Sequence, residues 1–147
     1  MKDANQYDLI LKDLFQRDRP SLLDRLTGGL AIREFLNVEL PKVQERRVDL
    51  VLLLEDGTVL HIEFQGKNDR AMGYREGIYG LLLAQRRRCR VRQVVLYVGE
   101  AKMSMSGRLD AGSVQVAYEP VDIREMDAQA LLESARPGDL ALAVLVT

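Results

Sequence analysis

The chain has 147 residues, 21 Lys and Arg against 22 Asp and Glu, and a formal net charge of −1. Its 47% hydrophobic content excludes a disordered chain and suits one packed domain, while no apolar run approaches the ~18–20 residues of a membrane span. There is no apolar secretory leader, and the lone Cys89 and lone His61 exclude an internal disulfide or a Cys/His zinc site, so a cytoplasmic protein is expected.

In chain order, residues 5–15 carry Ile10, Leu11, Leu14 and Phe15 on a helical stripe. Arg19-Pro20 interrupts it, and Ser21 is placed to cap a second short helix ending at Gly28-Gly29. Phe35, Val38 and Leu40 read as a strand over 33–39 that stops at Pro41. Two apolar runs, 47–54 and 58–65, flank Glu55-Asp56-Gly57 and predict a hairpin. A helix from Asn68 or Asp69 to about Arg88 follows, with Met72, Ile78, Tyr79, Leu82 and Leu83 as its apolar positions. Gly77 and Gly80 within it suit close packing. A buried strand over 92–98 ends at Gly99, and Met103 and Met105 in the next loop read as cover for apolar surface. Short strands at 114–117 and 121–123 flank Pro120, and Asp127 is placed to cap a last helix through Leu131 and Leu132. The apolar run 140–146 reaches the terminus without a stop signal, which reads as a chain continuing past Thr147. The whole is an α/β domain over 1–147 in the order helix, three strands, helix, strand.

The hairpin register decides where the charges go. A two-residue turn pairs Asp49 with Phe64 and mixes charged and apolar residues on both faces. A three-residue loop with Gly57 left-handed pairs Val48 with Phe64, Leu50 with Ile62 and Leu52 with Leu60, one wholly apolar face. The opposite face then pairs Arg47 with Gln65, Asp49 with Glu63, Val51 with His61 and Leu53 with Val59. Burial of a coherent apolar set selects the second register. Asp49 and Glu63 become opposed neighbours, with Cβ atoms ~4.5–5.5 Å apart, a destabilising pair unless a cation lies between them. Hard carboxylate oxygens suit Mg²⁺ or Mn²⁺. The bland alternative is a solvated hairpin face, against which stand Val51, Leu53 and Val59 on that same face.

At these residues the chain resembles the PD-(D/E)XK nuclease superfamily, in particular its Rpn (recombination-promoting nuclease) and transposase-like branch. The matching pieces are Arg46-Arg-Val-Asp-Leu50, His61-Ile-Glu-Phe-Gln65, Tyr7-Asp8-Leu-Ile-Leu-Lys12-Asp-Leu-Phe15, and Met72-Gly-Tyr-Arg75 with Tyr79, in that family's order over 7–126. The resemblance implies a restriction-endonuclease-like αβββαβ core, with a mixed sheet flanked by helices. It implies an Mg²⁺- or Mn²⁺-dependent endodeoxyribonuclease in which Asp49 and Glu63, with the backbone carbonyl of Phe64, hold the ion. The family's usual lysine is Gln65 here, which can orient water or contact phosphate but carries no charge. Lys67, on the same strand parity, is a candidate for the missing cation. Arg75 and Tyr79, four apart on one helix face, can both aim at the site; the alternatives are a solvated charge and a core-edge aromatic. Asp8 and Lys12 are one turn apart; the resemblance puts Asp8 near the metal, the alternative being an exposed ion pair.

Three further features bear on function. His61 lies one strand step from Glu63 but faces Val51, and no family motif asks for it as a general base. Cys89 lacks a nucleophile's partners and reads as structural. Arg86, Arg87, Arg88, Arg90 and Arg92 form a dense basic run, favoured in part by a helix C-terminus and in part a candidate DNA-backbone patch. The leading expectation is thus a recombination- or transposase-associated DNA endonuclease, without membrane contact and with a homodimer left open. Its rival is an impaired nuclease fold that serves as a DNA-binding or oligomerisation module. A scaffold domain unrelated to nucleic acid is the third reading.

Overall fold

The computed structural model describes residues 4–37, 49–134 and 136–146. Helices α1 (Ala4–Asp18) and α2 (Ser21–Leu26) precede strand β1 (Ile32–Phe35) and the hairpin β2 (Asp49–Leu54) and β3 (Val59–Gln65). Helix α3 (Met72–Arg87) then crosses to β4 (Val91–Tyr97). A small hairpin, β5 (Arg108–Ala111) and β6 (Val114–Ala117), leads to β7 (Glu119–Asp122), a 3₁₀ turn, α4 (Ala128–Glu133) and α5 (Pro137–Val146). The main sheet runs β1-β2-β3-β4-β7, antiparallel through β3 and parallel from β3 to β7. It is therefore a mixed sheet with helices on both faces, and the expected order of helix, three strands, helix and strand is present. Among the described residues no helix is long and apolar enough to cross a membrane.

The three-residue register is the one formed: Asp49 opposes Glu63, Leu50 opposes Ile62, Val51 opposes His61, Leu52 opposes Leu60, and Leu53 opposes Val59. Gly57 supplies the positive φ of +87°, and its N–H donates to Leu54 O at 3.0 Å. Leu50, Leu52, Leu60 and Ile62 join the main core with Leu11, Phe15, Leu22, Leu23 and Ala143 from the helices below. Phe15 meets Phe64 edge-on at 5.3 Å. The other face, carrying Asp49, His61 and Glu63, is roofed by α3 through Val51, Val59 and Leu83 at one end and Met72, Val95 and Tyr97 at the other. Burial of residues of both parities follows, and every residue of β3 from Val59 to Phe64 is buried.

Several boundaries differ from the sequence reading. Ile10 is exposed because the buried line of α1 runs through Leu11 and Phe15, with Ile10 turned ~100° away. Ser21 does not cap α2; Pro20 holds the cap position, and Ser21 gives its N–H to Asp139 Oδ1 at 2.6 Å and its hydroxyl to Asp139 Oδ2. Helix α3 starts at Met72, not at Asn68 or Asp69, because Asp69 Oδ1 accepts the Ala71 N–H at 2.8 Å and closes a turn first. On its outer side Ile78 is exposed. The strand around Pro120 is shifted to Glu119–Asp122, and β5 has no counterpart in the sequence reading. Val38, Leu40, Pro41, Arg47 and Val48 lie outside the described residues. Gly77 and Gly80 do permit close approach: a Cβ at either would stand 2.6 Å from Val116 Cγ2 or 2.5 Å from Gln93 Oε1. Asp127 caps α4 as read, accepting the Gln129 N–H at 3.0 Å.

Candidate active site

Opposed positions on β2 and β3 put Asp49 and Glu63 side by side under the first turns of α3. Glu63 is 3% exposed, and what makes that burial tolerable is Arg75. One guanidinium nitrogen of Arg75 donates to Glu63 Oε1 at 2.9 Å and to Gln65 Oε1 at 3.2 Å; the other donates to Asp69 Oδ2 at 2.7 Å. Arg75 is itself buried, so it is a component of the site and not a solvated charge. The cation beside Gln65 thus comes from α3. Lys67 is exposed just past the end of β3 and makes no bond to Glu63 or Gln65 among the described residues.

Asp49 has a different partner. Its Oδ2 lies 2.9 Å from His61 Nε2, two positions along β3 from Glu63. His61 is fully buried, with Glu76 Oε2 3.5 Å and Gln93 Nε2 3.1 Å from Nδ1. Burial alone would push the imidazole pKa down; the hydrogen bonds and charges of Asp49 and Glu76 outweigh it and raise it to about 10. His61 is therefore an imidazolium at neutral pH, donating from both nitrogens. A half-turn of the Gln93 amide presents Oε1 to Nδ1, the orientation that imidazolium requires. The Tyr79 ring stacks on His61 at 6.0 Å with 16° between planes. Tyr79 is buried, and it reaches the site as the ring that covers His61.

The other oxygen of Asp49 is distinctive. Asp49 Oδ1 is shielded from solvent and accepts no hydrogen bond among the described residues. A hard divalent ion suits such an oxygen, and Mg²⁺ binds through one or two carboxylates while keeping several waters. Asp49 and Glu63 fit that description, with the Phe64 carbonyl between Glu63 and Gln65 on the same strand. The Phe64 side chain itself faces the main core. No third His, Cys, Asp or Glu among the described residues completes a metal cage with them.

Other sequence candidates are placed elsewhere. Lys12 is on α1, which packs on the Phe64 side of the sheet, and the side chain of Asp8 lies outside the described residues. Arg86, Arg87, Arg88, Arg90 and Arg92 are exposed at the C-terminal end of α3 and the start of β4. Val59 pairs with Val91 at that end and Gln65 with Tyr97 at the site's end. Glu63, with Asp49 opposite, pairs with Val95, so four positions at ~3.3 Å, roughly 13 Å, separate the carboxylates from Val91 along the strands. Arg92 is further engaged with Leu26 O at 3.2 Å.

Sequence reasoning missed Glu76 and Gln93 and understated His61. Glu76 carried a signal: it sits four after Met72 and three before Tyr79, on the buried line of α3, where a carboxylate needs a reason. Gln93 carried none, since its partner is 32 residues away. Compared with known proteins, the chain matches no family model, no curated protein and no solved structure.

Proposed function

We propose that the chain is a cytoplasmic, Mg²⁺- or Mn²⁺-dependent endonuclease that hydrolyses phosphodiester bonds of DNA, with Asp49 and Glu63 as the metal-holding carboxylates. The observation that carries it is the register-matched pair, one of whose oxygens, Asp49 Oδ1, is shielded and accepts no hydrogen bond among the described residues. A bound ion would supply an acidified water and neutralise phosphoryl charge. The chain's own residues prepare the place. His61 holds Asp49 Oδ2 and so fixes the direction of Oδ1, while Glu76 and Gln93 hold the His61 ring. Arg75 holds Glu63 and the Gln65 amide together and is the guanidinium nearest to where a scissile phosphate would lie.

The test is plasmid nicking with Mg²⁺ or Mn²⁺. Asp49→Ala and Glu63→Ala should each lower the rate at least 100-fold and weaken Mn²⁺ binding measured by calorimetry. Wild-type protein that nicks nothing, or variants that nick as it does, would overturn the reading. A second reading, an impaired fold acting as a binding or oligomerisation module, draws on Gln65 in the lysine position and on the exposed Tyr74, Ile78 and Leu81 along α3. It predicts DNA binding or self-association with no nicking in either metal.

A further inference from the structure

The turn ahead of α3 and the start of β5 each bring an arginine, Arg70 and Arg108, to one cavity of about 200 Å³. Ser104, Ser106 and Asn68 add hydroxyl and amide groups to its wall. Asn68 ties the wall together, donating to Lys102 O at 2.9 Å and accepting the Ser104 N–H at 2.8 Å. Asp69 is the acidic member of the wall, and both its oxygens are engaged, by the Ala71 N–H and by Arg75. Neither Arg70 nor Arg108 has an ion-pair partner among the described residues. Two arginines without ion pairs among the described residues therefore line a cleft whose own carboxylate already accepts from Ala71 and Arg75.

Position gives the cleft its meaning. Through Asp69 and Arg75 it is two hydrogen bonds from Glu63. The basic run 86–92 ends at the start of β4, roughly 13 Å from Glu63 along the strands or about four rises of ~3.4 Å in duplex DNA. Its nearest member, Arg92, pairs with Leu60 and donates to Leu26 O. That run can touch a distant phosphate, not the neighbour of the one held at Asp49 and Glu63. Planar guanidinium forks match phosphate oxygens, and the Ser104 hydroxyl adds a neutral donor, that of Ser106 being given to Arg108 O at 3.1 Å. At ~30 Å³ per water, the cavity has room for a phosphate group and several waters.

We infer that this cavity is a phosphate subsite, seating through Arg70 and Arg108 the DNA backbone phosphate that neighbours the reacting one. The choice of DNA rests on the nuclease reading; the anion site itself rests on the cavity. The experiment is equilibrium binding of a fluorescein-labelled 20-base-pair duplex, followed by anisotropy in EDTA so that no cutting enters. Arg70→Ala/Arg108→Ala should weaken binding about tenfold and lower the slope of log K against log salt by about one to two. Arg70→Lys/Arg108→Lys should keep the slope and lose part of the affinity, which separates the role of charge from any loss of fold. A double alanine variant with wild-type affinity and slope overturns the subsite, as does wild-type protein that binds no duplex. Inorganic phosphate at constant ionic strength is the second arm. If calorimetry finds it bound while duplex affinity ignores both arginines, the site serves free phosphate and the inference fails. Nicking that is indifferent to Asp49 and Glu63 would overturn the nuclease reading and leave this binding result standing.

Discussion

At the scale of single residues, His61 carries more of the site than its neighbours. It is one cation between two carboxylates, Asp49 and Glu76, under a stacked tyrosine. His61→Ala would leave those carboxylates buried without it, and breaking a buried pair in this way costs about 3–5 kcal/mol. Urea unfolding at pH 7 should show that loss, together with weaker Mn²⁺ binding because Asp49 is no longer held. Arg75 plays the matching role for Glu63. These partnerships were hard to read in the sequence because each joins different elements. His61 meets Asp49 across a hairpin, Glu76 from a helix and Gln93 from a parallel strand. Alternation along one strand says which face a residue takes, and nothing about what comes down onto that face.

At the scale of elements, the hairpin was legible in detail and α3 was not. Period-two alternation allowed one register with a coherent apolar face, and the chain adopts it. The helix beyond it offered a stripe, but its start was masked by Asp69, whose side chain builds a turn before the helix begins. Strand β5, Arg108-Leu-Asp-Ala, has few residues with strand preference and forms because Leu109 lies on Gly73. Close packing at Gly77 and a positive φ at Gly57 make two different predictions. Gly77→Ala gains up to ~1 kcal/mol of helix propensity, yet its Cβ would meet Val116 Cγ2 at 2.6 Å, and overpacking of this kind costs about 1–3 kcal/mol. A net loss of stability with loosening of β5–β6, seen as faster amide exchange there, is expected. Gly57→Ala has nothing within 4 Å of its Cβ, so only the φ of +87° matters, at about 1–2 kcal/mol.

At the scale of the molecule, the two ends of the chain are fastened by Asp139. This carboxylate on α5 is fully buried and accepts from the Ser21 N–H and hydroxyl and from the Ser134 hydroxyl at 2.6 Å. Burial raises its pKa, but the hydrogen bonds of Ser134 and Ser21 and the charge of Arg136 prevail and hold it below the usual 3.8. A carboxylate lowered on folding contributes stability above its unfolded pKa and loses it as pH falls through the folded value. Asp139→Asn should therefore cost about 1–3 kcal/mol at pH 7. The gap to wild type should narrow as pH drops below ~4, measured by urea unfolding across that range. Nothing in the local sequence marks Asp139 for this role, because Ser21 is 118 residues away.

Loops that join neighbouring strands usually tolerate added or missing residues, since they touch little and their closure entropy changes slowly with length. The strand that leads into the tip at 55–57 is an exception, because its length is information. Removing Leu53 would leave the three-residue loop intact and move each earlier residue of β2 one place toward it, sending its side chain to the opposite layer. Asp49 would then face Ile62, and the pair would be lost without any change to either carboxylate. Leu53 lies four positions from Asp49, roughly 13 Å along the strand. That deletion should abolish Mn²⁺ uptake as fully as replacing Asp49, whereas removing Asp56 keeps Leu54 opposite Thr58 and should leave uptake in place. One missing strand residue at this distance thus counts as an active-site lesion.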